Sequence, residues 1–328
     1  MASDPTTLRL RVAEARELNP LVRLFRLRAD DGAALPGFEA GAHIRVRVDL
    51  GNGQSDWRHY SLIDFAAGGQ PAPAEYLIAV RKEAAGRGGS RFMHERLREG
   101  DTIEAEPPKN DFPLHGGAGR AVLLAGGIGI TPLASMAAHR RAQGLPVELH
   151  YAGRSRALMA FLPELGELLG TDLLLHDDES KGASFDVGAL LARCDPADQL
   201  YVCGPKPMLD AVLAQTQARG WNSDRVHFEL FTAPVVEEGD HAFEVELAMS
   251  GQRFTVPADQ SILDCLIEHG CDPMFDCKRG ECGVCAVPVI DGEIDHRDYV
   301  LTAREKAAGN VIQICISRAK GQRLVLDL

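Results

Sequence analysis

The sequence predicts a multidomain chain: an antiparallel β-barrel, then an α/β domain on a parallel sheet, then a small α+β domain. Three observations carry this. Short strands separated by turn signals fill the first third. Strands alternate with helices in the middle third. Five of the eight cysteines crowd between Cys265 and Cys285. The 328 residues leave room for two or three domains of ordinary size.

In the first third, residues 8–12, 22–28, 43–50 and 76–81 are short runs of alternating or β-branched character. Asp31-Gly32 and Asn52-Gly53 mark turns between them. Strands at this spacing suggest a barrel. Within it, Arg58-His59-Tyr60-Ser61 combines an anion-binding guanidinium, a ring that stacks or hydrogen-bonds, and a hydroxyl. Gly86-Arg-Gly-Gly-Ser90 precedes a helix expected over 91–98. A helix start of that kind offers backbone N–H groups to an anion. A surface loop would explain either motif taken alone.

The middle third opens on an apolar strand at 121–125, a turn through Gly126, Gly127 and Gly129, and a helix from about Pro132. Thr131 is expected to cap that helix, with Pro132 at its first position. Strands at 147–151, 171–176 and 199–202 alternate with helices at 157–169 and 206–219. This alternation predicts a parallel sheet covered by helices. A glycine turn between strand and helix suits a phosphate; its plainer reading is a tight turn. Cys203-Gly204-Pro205 ends an apolar strand, the edge where such sheets bind ligands. Taken alone, Cys203 reads as a buried thiol.

Residues 232–240 hold a proline, three acids and a glycine, the composition of a linker. A hairpin follows at 243–249 and 253–256, then a helix at 261–269. Cys277, Cys282 and Cys285 then have the spacing C-x4-C-x2-C, and Cys315 lies thirty residues on, in a strand expected at 311–316. This is the plant-type [2Fe–2S] ligand pattern, which needs four thiolates on two irons. Gly280 and Gly283 permit loop conformations and close approaches that a β-carbon blocks. Lys278 and Arg279 place positive charge beside an anionic cluster. The alternative, a zinc site, favours paired C-x2-C knuckles, and only one is present. Cys194, Cys265 and Cys271 read as structural.

Charge narrows the classes further. Lys plus Arg is 35 and Asp plus Glu is 47, a net charge of −12. That argues against a nucleic-acid binder. The acidity lies mainly in residues 113–241, with 10 basic against 16 acidic, and 242–328, with 9 against 14. The start MASDPTTLRLRV lacks an apolar leader, and the uncharged run 121–138 is broken by glycines and Pro132. A cytoplasmic chain without a membrane span is expected.

Taken together, the motifs resemble the ferredoxin–NADP reductase superfamily, and more narrowly its phthalate dioxygenase reductase and vanillate demethylase reductase branch. The carried motifs are Arg58-x-Tyr60-Ser61, Gly86–Ser90, Gly126-Gly-x-Gly-x-Thr-Pro132, Cys203-Gly-Pro205, Glu229-x-Phe231 and the four cysteines. The resemblance spans the whole chain. It implies an FMN-binding barrel over 1–112, an NAD-binding domain over 113–231, a linker at 232–241 and a β-grasp [2Fe–2S] ferredoxin over 242–328.

The resemblance also implies roles. Arg58, His59, Tyr60 and Ser61 would hold the flavin, with Ser61 near the reactive ring nitrogen. Ala79, Val80 and Arg81 would line it, Gly88, Gly89 and Ser90 would meet its phosphate, and Thr131 would approach it. Gly126, Gly127, Gly129 and Pro132 would shape the NADH turn. Cys203, Gly204 and Pro205 would lie at the nicotinamide, with Cys203 near the hydride-donating carbon. Phe231 would cover one ring face and move for nicotinamide; its bland reading is a core aromatic beside the linker. Glu229 joins Ser61, Cys203 and Phe231 in the expected catalytic set. Arg154 and Ser155 follow the second strand, where an arginine could favour NADPH; the family points to NADH. Cys277, Cys282, Cys285 and Cys315 would bind the cluster. The implied activity carries electrons from NADH through FMN and [2Fe–2S] to a Rieske-type terminal oxygenase, phthalate-type first, from a monomer. Vanillate O-demethylase, a cytochrome P450 or a di-iron oxygenase are alternative acceptors. A non-enzymatic ferredoxin carrier is the reading outside enzymology.

Overall fold

The computed structural model describes residues 7–51, 53–66, 72–84, 86–182, 185–231 and 236–328. The chain divides into two compact units, Met1–Glu229 and Leu230–Leu328. Part of the expected linker, residues 232–235, and Asn52 lie outside the described residues.

The first unit starts with a curled antiparallel sheet. Its strands are β1 (Leu8–Asn19), β2 (Val22–Ala29), β3 (His43–Gly51), β4 (Gln54–Ser61), β5 (Tyr76–Arg81) and β6 (Thr102–Ala105), in the order β4-β3-β6-β1-β2-β5. The chain after β4 closes back on the far edge, where the Ile63 N–H donates to the Leu77 carbonyl at 2.9 Å. Alternation explains the inside: Leu10, Val12, Val46 and Val48 are buried while their neighbours in sequence are more exposed, and only at Ile44 is a neighbour, His43, buried as well. Two strands were not expected. β4 carries the polar run Gln-Ser-Asp-Trp-Arg-His-Tyr-Ser, and β6 has only four residues. The short helix α1 (Gly89–Glu95) begins earlier and ends earlier than expected.

The same unit continues with a five-stranded parallel sheet, order β11-β10-β7-β8-β9. The strands are β7 (Ala121–Gly126), β8 (Val147–Gly153), β9 (Leu173–Asp177), β10 (Gln199–Cys203) and β11 (Val226–Glu229). Helices α2 (Ile130–Ala142), α3 (Leu162–Leu169), α4 (Asp178–Lys181), α5 (Val187–Leu191) and α6 (Lys206–Ala218) lie between them. β7 is buried at every residue, as a strand covered on both faces must be. The helix expected over 157–169 is interrupted. A 3-10 turn at Arg156–Leu158 gives way to extended backbone at Met159, and Phe161 adopts φ 64 before Pro163 permits α3 to start.

The second unit is an α+β fold of β-grasp form. Its strands are β12 (Phe243–Leu247), β13 (Arg253–Val256), β14 (Ala286–Asp291), β15 (Ile294–Asp295), β16 (Val311–Gln313), β17 (Arg318–Ala319) and β18 (Arg323–Leu326). The main sheet has the order β13-β12-β18-β14-β16, with β12 and β18 parallel. Helices α7 (Ile262–Glu268) and α8 (Ala303–Ala308) complete it. Ser261 caps α7 by accepting the Asp264 N–H at 3.0 Å. Cys265 is fully buried on the inner face of α7, in the core with Val245 and Ile314. No helix among the described residues is long and apolar enough to cross a membrane.

Candidate functional site

The parallel sheet reverses direction between β7 and β10, since the chain builds outward to β9 and then crosses back to β10 and β11. Both expected nucleotide motifs end at that crevice. Ala125, Cys203 and Glu229 stand side by side at the carboxyl ends of their strands. The two glycine turns interlock. A β-carbon on Gly126 would lie 2.6 Å from Pro205 Cδ, and one on Gly129 would lie 2.0 Å from the Cys203 carbonyl oxygen. Only glycine permits these approaches. The crevice outside such strand ends is where open α/β sheets bind ligands.

The helix after this turn starts sooner than expected. A 3-10 turn at Gly127–Gly129 leads directly into α2, whose cap is Gly129 with no side-chain bond. Thr131 is therefore not the cap. Its hydroxyl donates back to the Ile128 carbonyl at 3.0 Å, and Pro132 sits at the third helical position.

One turn along α2, Ser135 joins the two halves of the first unit. Its hydroxyl donates to the Leu62 carbonyl at 2.9 Å and accepts the Asp64 N–H at 2.9 Å. Leu62 follows Ser61, so this pair of bonds sets the end of the barrel motif against the helix that begins at the glycine turn. Ser61 is 5% exposed and its hydroxyl has no hydrogen-bond partner in the protein. A dry, unsatisfied hydroxyl is costly unless a ligand meets it. This is the observation that a bound heteroaromatic ring fits.

The rest of the barrel motif converges nearby. Arg58 donates to the Trp57 carbonyl at 2.9 Å, reaches the Arg87 carbonyl at 3.4 Å and pairs with Asp56. Burial raises the Asp56 carboxyl, and the Arg58 hydrogen bond and charge outweigh it and hold the group below its ordinary range. A β-carbon on Gly89 would lie 2.8 Å from Arg58 Nε, so Arg58 and the Gly88-Gly89-Ser90 loop form one cradle. The Ser90 hydroxyl accepts the Glu83 N–H at 3.0 Å and shapes the loop from inside. Tyr60 is pushed above its ordinary value by burial, with Arg58 opposing, so it stays a phenol. His59 packs edge-on against the buried His43 ring, centroids 4.9 Å apart. Ala79 and Val80 are buried on β5, and Arg81 pairs with Glu83 at 2.8 Å.

At the other end of the parallel sheet, Ser155 is 9% exposed and Arg154 is exposed. Asp177 closes β9, caps α4 through the Ser180 N–H at 2.9 Å, and pairs with Arg156 Nε at 3.2 Å. Phe231 is half-buried, directly after Leu230 at the start of the second unit.

In the second unit the cysteine loop turns on Lys278 at φ 54, Gly280 at φ 78 and Gly283 at φ 76. At Gly280 a β-carbon would also meet Ile316 Cγ2 at 2.8 Å. Cys277 is in side-chain hydrogen-bonding contact with Cys282 and Cys315, and Cys285 with Cys315. The contacts run in a row, 282–277–315–285. Among the described residues, no three His, Cys, Asp or Glu side chains are arranged as a metal-ion site. The hydrogen bonds from its neighbours pull Cys277 well below the usual thiol range; donating those bonds pushes Cys282 and Cys315 far above it. Four thiolates cannot share so small a volume unless cations neutralise them. A thiolate donor set with these contacts fits an iron–sulfur centre.

One expectation changes here. Cys315 lies in the turn after β16, not on the strand. Lys278 and Arg279, beside Cys277 in sequence, are each engaged in an ion pair. Lys278 Nζ pairs with Asp264 at 2.8 Å, and Arg279 Nε pairs with Glu281 at 3.4 Å.

Comparison with known proteins agrees with both units. A family model described as a 2Fe-2S iron-sulfur cluster binding domain matches residues 245–320. The chain is 39% identical over 324 residues to the heme-dependent oxidative N-demethylase beta subunit of Ectopseudomonas mendocina, covering 98% of this chain and 99% of that one. It is 37% identical to the vanillate O-demethylase oxidoreductase of Acinetobacter baylyi, covering 97% and 98%. The solved structure of phthalate dioxygenase reductase, at 38% identity, superposes with a TM-score of 0.75 and covers 98% of each chain. The chain belongs to the phthalate dioxygenase reductase family.

As a member of the phthalate dioxygenase reductase family it is an oxidoreductase that uses a flavin, NAD(H) and a [2Fe–2S] centre. The residues above fit those groups. Sequence reasoning missed Ser135, His43 and the contacts of Arg279 and Glu281 with Leu230. A serine amid the alanines of a helix buried from Ile130 to Ala138 was the available signal for Ser135. His43 gave none, because a histidine in a barrel strand reads as an ordinary exposed position.

Proposed function

We propose that this protein is the NADH-dependent reductase component of a two-component, Rieske-type aromatic oxygenase. Its domains are FMN-binding over 1–112, NAD-binding over 113–231 and ferredoxin over 242–328, joined through 232–241. It works as a cytoplasmic monomer. The observation that carries this reading is Ser135 joining the barrel motif to the glycine-turn helix, with the four cysteines gathered in the next unit.

When bound, a flavin would supply the conversion between two-electron hydride chemistry with NADH and one-electron chemistry with a [2Fe–2S] centre, while the protein supplies orientation and dryness. Arg58 and the backbone of Gly88–Ser90 hold the phosphate end, which suits FMN. Ser61 gives its unsatisfied hydroxyl to the ring. Ala79, Val80, Arg81, His59, Tyr60 and Thr131 form its walls. Gly126, Gly127, Gly129 and Pro132 admit the dinucleotide backbone. Cys203, Gly204, Pro205 and Glu229 would meet the nicotinamide, and Phe231 would take the role of an aromatic cover for the ring. No general acid or base is needed, since the step depends on stacking geometry. Asp177 sets a carboxylate beside the Arg154–Ser155 loop, which opposes a 2′-phosphate and favours NADH. Cys277, Cys282, Cys285 and Cys315 would hold the two irons.

A second reading, a haem oxygenase as electron acceptor, is favoured by the relative named for heme-dependent N-demethylation. Anaerobic titration with NADH tests the relay: flavin and iron–sulfur bands bleach together if it holds, and a protein that oxidises no NADH excludes it. Reconstitution with Rieske and haem oxygenases separates the two acceptors. The acidic ferredoxin segment predicts docking on a basic partner surface, so transfer to the oxygenase weakens as salt rises.

A further inference from the structure

The loop bearing three of the four cysteines is tied to a backbone residue far from it in sequence. Arg279 Nη1 donates to the Leu230 carbonyl at 2.7 Å. The Leu230 N–H donates to Glu281 Oε1. The two side chains also join each other, Nε to Oε2 at 3.4 Å, with only 8% and 14% of their surfaces exposed. One shielded ion pair thus satisfies both polar groups of a single residue that is itself 3% exposed. Such a pair costs desolvation, and its backbone bonds help offset that cost.

The stretch expected to be a linker is held at its other end too. Asp240 pairs with Arg297, lies 3.7 Å from Arg318 and accepts the Glu237 N–H at 2.9 Å. Leu230 and Asp240 are thus both fastened to the second unit.

We propose that Arg279 and Glu281 are positioning residues for electron entry. They clip the cluster loop to Leu230, the residue between Glu229 and Phe231. The mechanical route from the end of β11 to the cysteines then passes through that one clipped residue. It does not pass through the longer stretch to Asp240. A slack tether would spread the cluster loop over many positions, whereas a clip removes that freedom. This rests on the assignment of the four cysteines as cluster ligands.

The test uses the holoenzyme. Hydrogen exchange followed by mass spectrometry should find the Leu230 amide protected in the unaltered protein and open in Glu281→Ala. In anaerobic stopped flow with NADH, Glu281→Ala and Arg279→Ala should bleach the flavin band at the unaltered rate. They should bleach the iron–sulfur band about tenfold more slowly or worse, as expected when reacting groups lose their alignment. Glu281→Gln keeps the acceptor for the Leu230 N–H and should recover most of that rate. Four glycine and serine residues inserted after Val236 should change nothing alone and slow transfer further in Glu281→Ala. A Leu230 amide that exchanges freely in the unaltered protein overturns the clip, even if Arg279→Ala does not fold. So does an unchanged cluster rate in Glu281→Ala. Absent iron–sulfur bands in the unaltered protein would instead overturn the ligand assignment.

Discussion

Gly129 and Cys203 are locked backbone to backbone: a β-carbon on Gly129 would lie 2.0 Å from the carbonyl oxygen of Cys203 and 2.4 Å from its carbonyl carbon. The obstacle is main chain in a parallel sheet, so it cannot swing aside as a flexible side chain could. Gly129→Ala therefore must push α2 away from β10. We expect a loss of about 1–3 kcal/mol of stability, the usual cost of overpacking, and a larger loss of NADH oxidation with ferricyanide. Thermal unfolding and steady-state kinetics on the same preparation measure both. An alanine variant with native stability and native KM for NADH would contradict the interlock.

Ser61 makes the opposite prediction about stability. Its hydroxyl is buried without a protein partner, so Ser61→Ala should leave the flavin-free protein as stable as before, or more so. The flavin-loaded protein should lose about 0.5–1.5 kcal/mol of flavin affinity, the net value of one hydrogen bond. Fluorescence titration of the stripped protein with FMN reads this directly. Equal losses in the stripped and loaded forms would place the hydroxyl in the fold instead.

The cysteines separate by role. Cys285→Ser should remove the iron–sulfur absorption while NADH-driven ferricyanide reduction continues. Cys265→Ala should keep its iron and lose about 1 kcal/mol, the cost of a small buried group. Iron content, visible spectra and unfolding temperature distinguish the two variants. Iron loss in Cys265→Ala would put that residue among the ligands.

Acid should weaken the first unit through His227. Burial, then the neighbouring His115, lower its pKa from 6.5 to about 4. Its ring stacks on Tyr201 at 4.7 Å. The folded protein keeps this histidine neutral where the unfolded chain would protonate it. Its contribution is therefore present above pH 6.5 and declines as pH falls toward 4. His227→Phe keeps the ring stack, so its unfolding temperature should fall less steeply across that window. Superimposable acid profiles would remove His227 from the account.

How much of this was legible depended on local chemistry. Cys277, Cys282, Cys285 and Cys315 could be read because metal ligation fixes residue type and spacing together. β7 and β10 could be read because burial on both faces makes them continuous apolar runs, whereas the edge strand β11, short and only partly buried, was not expected. β4 could not be read, because it is an edge strand whose polar, partly exposed run lacks the alternating apolar pattern of a strand. The start of α2 was misjudged because Thr131 and Pro132 look like a beginning, while the chain tightens into a 3-10 turn before them. Arg279 and Glu281 looked like loop charges. Their shared grip on Leu230 is a long-range contact, which no local pattern encodes.

Ser135 has a consequence for how such a chain can be cut and recombined. Its hydroxyl serves Leu62 and Asp64 at once. A cut near residue 112 would leave two main-chain groups and a hydroxyl without partners. Shuffling genes at that point is penalised, so the first two modules travel as one cassette. The chain between Glu229 and Leu230 crosses from one compact unit to the other. That is the seam at which an iron–sulfur module can be exchanged or appended without breaking the cassette before it.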